Sequence, residues 1–136
     1  TTADWQAGRV LDDEIGLSPP PTPRHPNVSV PYGTLVPPGI ENLLAAGRLL
    51  SCDAITHTFM REVPNCWQMG QAAGVAAAQA ISAGVRVQDV DIAALQKELA
   101  NQGVPMHTTV PTLDRAAAAE PVSSGADSTN WTGRWE

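Results

Sequence analysis

The sequence predicts an α/β fold that this chain by itself leaves incomplete. Three observations carry that expectation. Leu43 to Ala46 is a continuous apolar run of strand length ending at Gly47, the pattern of a strand buried on both faces of a parallel sheet. The stretch REVPNCWQMGQAAGVAAAQA, residues 61–80, reads as one helix made almost wholly of small side chains. Among 136 residues there are twelve Pro and eleven Gly but only four Trp, one Tyr and one Phe, and much of the 43% apolar share is alanine. That is little bulk with which to close a core.

Taken in order, Ala3 to Leu11 suits a short helix, followed by an acidic run into IGLSPPPTPRHP. The prolines of that stretch exclude helix and central strand, so it is expected as an extended loop. VSVPYGTLV carries β-branched residues broken by Pro31 and Gly33, which predicts two short strand pieces around a bend. After the turn PPGIEN comes the Leu43–Ala46 strand, where Gly47 allows close approach to the backbone and Arg48 stands beside it. Ser51 to Met60 shows no period and is expected as a loop.

Pro64 suits a first helical residue, since its missing N–H is not needed there. The helix is predicted from Pro64 to Ala83, with Gly84 as its C-terminal cap. Positions four apart share a face, so Cys66, Gly70, Gly74 and Ala78 form a seam with almost no side chain. Each interior glycine costs about 1 kcal/mol relative to alanine, which close packing of the helix backbone would offset. Gln68, Gln71, Gln79 and Ser82 make a narrow polar stripe, and the remaining circumference is apolar, predicting a mostly buried helix. A second helix, from Asp91 or Ile92 to Asn101, places Ile92, Leu95 and Leu99 on one face and stops at Gly103. From Thr108 the chain is expected to be a draped or disordered tail with Trp131 and Trp135 as docking points.

A net charge of -6, with eight Lys and Arg placed singly, offers no basic stripe for a phosphate backbone, so nucleic acid is not an expected partner. No apolar run reaches the roughly 18 residues of a membrane span, and no signal pattern opens the chain, so no membrane association and a cytoplasmic location are expected. Cys52, His57 and Cys66 lack zinc spacing, and no metal site is read from the sequence; reduced, buried thiols are expected. The N-terminus of the long helix presents free N–H groups and partial positive charge, which stabilise electron-rich atoms.

NLLAAGRLLS, then the segment to Arg61, then REVPNCWQMGQAAGVAA resembles the C-terminal signature of a family of FAD-dependent oxidoreductases with two-dinucleotide-binding-domain architecture. The matching positions are Asn42, Leu43, Leu44, Ala46, Gly47, Arg48, Ser51, Arg61, Pro64, Cys66, Gly70 and Ala72-Ala73-Gly74. Weaker similarity runs through DDEIG, His25, PYGTL and DIAALQKELANQG. It departs at Thr58 and Phe59, usually small in the family, and at Gly33, where the family has a basic residue.

The resemblance implies that the fold is the incomplete C-terminal part of a Rossmann-like FAD-binding domain, a closing strand plus a long helix, with short strands from a substrate domain. It implies FAD contacts at Gly47, Arg48, Asn65, Cys66, Gly70 and Gln71, and puts His57 and Arg61 near the reactive face of the flavin. Residues 1–38 would be the end of a substrate-domain-like region, 39–105 the FAD-binding part and 106–136 the tail. The chain has no GxGxxG motif, so it would be a small subunit or cleaved C-terminal fragment completed by a larger FAD-binding chain that carries one. Its expected chemistry is hydride transfer between a small-molecule substrate and the flavin. Arg61 has an alternative as a structural ion pair with Glu62 or a nearby carboxylate, and His57 as a loop histidine. The alternative for the whole chain is a non-catalytic interaction or assembly subunit derived from a flavoprotein.

Overall fold

The computed structural model describes residues 1–107. Helix α1 spans Thr2–Gln6, strand β1 Glu14–Ser18, strand β2 Val28–Pro31, helix α2 Ala54–Met60, helix α3 Val63–Ala83 and helix α4 Ile92–Asn101; Tyr32–Leu35 and Val87–Asp89 are 3-10 turns. The expected tail, with Trp131 and Trp135, lies outside the described residues.

The α/β character holds, but the sheet differs from the expected one. It is a two-stranded antiparallel hairpin, with Gly16 opposite Val30 and Ser18 opposite Val28, and an irregularity between Glu14 and Gly16. Residues 15–18, expected in a loop, are strand because the prolines begin only at Pro19 and leave the backbone N–H groups before them free to pair. The second strand piece expected in VSVPYGTLV is instead the 3-10 turn Tyr32–Leu35.

Leu43 to Ala46 forms no strand. One ladder-like bond, from Ala45 N–H to Leu35 O at 2.7 Å, is all that an extended run obtains when no neighbouring strand flanks it, and Leu43 is 43% exposed. Ser51 to Met60 is not all loop: α2 is capped by the Asp53 carboxylate, which accepts from Thr56 N–H. Seven residues are too few to display a helical period, so the cap was the legible signal.

Helix α1, expected over Ala3 to Leu11, ends at Gln6, ahead of Gly8 with its left-handed φ of +66°, whereas α3 and α4 follow expectation in their bounds. α3 starts one residue before Pro64 and ends at Gly84, whose φ of +66° is left-handed, with Val85 N–H returning to Ala80 O at 3.0 Å. Asp91 caps α4 through Ala93 N–H and Ala94 N–H, and its Leu95 and Leu99 are fully buried. One core gathers Ile15, Val30, Tyr32, Leu35, Met69, Leu95 and Leu99 around α3. Tyr32 donates its hydroxyl to Val87 O at 2.7 Å, and burial raises its pKa.

The long helix is not mostly buried. Its inner face is Asn65, Met69, Ala72, Ala76 and Ala80, whose alanines let α3 lie against β1 and α4. The opposite face, with Gly70, Gly74 and Ala78, is exposed, and a Cβ added at Gly70 or Gly74 would meet nothing within 4 Å. Trp67 and Ile81, on the same side, are 73% and 83% exposed. A two-stranded hairpin covers one side of a helix only.

Candidate functional site

The corner between α2 and α3 collects most of the sequence candidates. Met60 ends α2, Arg61 caps it, and Glu62 is already the N-cap of α3. The Arg61 carbonyl accepts from Arg48 Nε at 3.3 Å and from Cys66 Sγ at 3.5 Å. A Cβ added at Gly47 would lie 3.9 Å from Cys66 Cβ, and Gly47 has a φ of +89°, a conformation that glycine adopts without strain. Gly47, Arg48, Arg61 and Cys66 are therefore brought together at the start of α3. His57 lies on α2 one turn before Arg61, half-buried, with its side of the helix shared by Arg61.

The other candidates are placed differently. Gly70 lies one turn beyond Cys66 on the open face. Gln71 is directed toward α4, its Nε2 donating to Gln102 Oε1 at 2.8 Å. Asn65 is 3% exposed and points inward, donating to Ser18 Oγ at 2.9 Å and Phe59 O at 3.0 Å. Ser18 and the Phe59 carbonyl escaped the sequence reading because they matter through tertiary contact, not through any motif.

The electrostatics of the corner favour negative charge. No side chain caps α3, so first-turn N–H groups lack a side-chain acceptor at the positive end of a 21-residue helix. Arg48 and Arg61 are exposed, and among the described residues neither guanidinium is in an ion pair. The expected alternative of an Arg61–Glu62 pair is not formed. Behind the corner, the Asp53 carboxyl is held well below the usual carboxylate range, first by the Thr2 hydroxyl and then by Thr56 N–H. Cys52 is shifted upward by burial and by the neighbouring Asp53 charge.

A groove of about 410 Å³ runs along the first turns of α3, lined by Pro64, Asn65, Trp67, Gln68 and Gln71 on the helix side. A wider one of about 620 Å³ lies between α3 and α4, beside Val75, Gln79 and Glu98, and contains none of the candidates. Size alone therefore points away from the cluster, whereas donors, cations and the left-handed glycine meet at the corner.

Residues 6–99 match the family model described as FAD dependent oxidoreductase. The chain belongs to that family. No curated protein and no solved structure matches it. Membership makes FAD the cofactor and oxidoreduction the family-level activity. The residues present fit one end of that cofactor: an uncapped helix start, a glycine with positive φ beside it, and two guanidiniums in no ion pair among the described residues suit an acceptor-rich, anionic group. Among the described residues, no helix is long and apolar enough to cross a membrane.

Proposed function

We propose that this chain forms the flavin-proximal, C-terminal part of an FAD-dependent oxidoreductase, as a small subunit or cleaved fragment, with the ADP half of FAD held by a larger chain carrying GxGxxG. The observation that supports this best is the open face of α3. Gly70 and Gly74 have free space where a side chain would stand, and exposed Trp67 and Ile81 flank them. A helix face of this kind, continuous with an uncapped N-terminus, suits a sheet and a cofactor supplied from outside the chain.

In this reading FAD, when bound, would supply the hydride chemistry, and the chain's own residues orient and stabilise the reacting groups. The α3 N-terminus offers N–H groups and positive potential to the side of the flavin where charge gathers on reduction. Arg61 holds an anionic or carbonyl group of the small-molecule substrate, its guanidinium having no ion-pair partner among the described residues. His57, one turn away, serves as acid or base for the proton that accompanies hydride movement.

The test is purification of the native protein that contains this chain, followed by absorbance spectroscopy and mass analysis. A flavin spectrum together with a GxGxxG-bearing polypeptide is the expected result. Absence of flavin, with no uptake of added FAD, sinks the proposal. The same open face also suits a non-catalytic assembly subunit, and a stable complex without flavin is the outcome that selects that reading.

A further inference from the structure

Asn65 is conspicuous for being withdrawn from the place where the family resemblance puts it. It is the third residue of α3, yet it is 3% exposed and its amide faces inward. Its Nδ2 donates to Phe59 O at 3.0 Å and to Ser18 Oγ at 2.9 Å. A main-chain carbonyl can only accept, so the amide nitrogen must face Phe59. Ser18 is fully buried and sends its own hydroxyl proton to Pro19 O at 3.2 Å, which leaves a lone pair for Asn65. The Phe59 carbonyl is also the acceptor for the N–H groups of Arg61 and Glu62, the two residues of the corner. One side chain thus ties the end of β1, the end of α2 and the start of α3 together.

We infer that Asn65 is a positioning residue, a clamp that fixes the α3 N-terminus relative to His57 and Arg61 without touching the cofactor. Its role in the site rests on the FAD reading above; the clamp itself rests on geometry alone. Asparagine is needed because the Phe59 carbonyl can only accept and the Ser18 hydroxyl proton is already committed to Pro19 O. Aspartate has the same shape but carries no N–H, so it sets an acceptor against Phe59 O and keeps Ser18 only by drawing that hydroxyl proton away from Pro19 O.

That difference makes Asn65→Asp the decisive variant. A carboxylate in the first turn of a helix is ordinarily favourable, so an Asn65 that merely begins a helix tolerates aspartate or gains from it. A clamp instead loosens. In the full-length chain, amide exchange over residues 60–66 is expected to quicken about tenfold or more in Asn65→Asp, because a buried group is left unpaired. Ser18→Ala, which keeps the Phe59 bond, should quicken it less. In the flavin-loaded native protein, Asn65→Asp is expected to shift the visible flavin bands, lower the midpoint potential and raise the FAD Kd roughly three- to tenfold, as the helix end moves off its mark. Unchanged exchange overturns the clamp. Altered exchange with bound flavin of unchanged spectrum and potential overturns its role at the site and leaves Asn65 as a fold residue. A native protein that never holds flavin refutes the cofactor reading and, with it, the site role, while exchange still decides the clamp.

Discussion

The glycine seam of α3 should respond in opposite directions to one change, depending on whether its face is covered. A Cβ built at Gly70 or Gly74 meets nothing within 4 Å, and neither position has positive φ. Replacing both by alanine therefore adds helix propensity without a clash: about 0.8–1 kcal/mol for each substitution, or about 2 kcal/mol in all. In the full-length chain alone, the midpoint of urea unfolding followed by far-UV circular dichroism should rise accordingly. In the assembly proposed above, two methyl groups pressed into a close-packed contact would cost about 1–3 kcal/mol, and association would weaken by about five- to 150-fold. Size-exclusion chromatography with absorbance detection of flavin reads that loss. An unchanged or lowered unfolding midpoint in the chain alone refutes the claim that the face is free. Stabilised chain with undiminished assembly and flavin content refutes the claim that this is the face that docks.

Three further outcomes are expected. Leu95→Ala empties a fully buried core position on α4, and chemical denaturation should show a loss of about 2–5 kcal/mol. The depressed Asp53 carboxyl contributes stability above the unfolded carboxylate range; unfolding followed against pH should lose it as pH falls below about 4 and the residue becomes protonated, and Asp53→Asn should flatten that acid limb. Gly16→Ala builds its Cβ 2.0 Å from the Gln68 side chain at a φ of +153° and should destabilise; adding Gln68→Ala removes the clash but not the backbone strain, so calorimetry should show partial recovery only.

Local chemistry made much of this legible beforehand. Pro64 and Gly84 bracket α3, and Asp91 opens α4, because caps act within one turn and require no distant partner. The gathering of Gly47, Arg48, Arg61 and Cys66 was legible through the family signature, which encodes a constellation that spacing cannot. α2 was hidden because seven residues carry no period, and β1 because the proline run after Ser18 obscured the strand before it.

The sequence by itself determined where α3 and α4 begin and end, that α3 would be lined with small residues, and that GxGxxG is missing from this chain. Only the tertiary structure decided which small residues face inward. A helix of alanine and glycine offers several nearly equal faces, and the choice falls to whatever side chains can fill the space beside it. Met69 and the alanines at 72, 76 and 80 meet the hairpin and α4, so the glycines turn out, and Leu43–Ala46, without flanking strands, stays unpaired. Tertiary structure likewise withdrew Asn65 from the exposed corner, since a buried amide goes where acceptors are and these lie on Ser18 and Phe59, while the exposed Gln71 turns to Gln102.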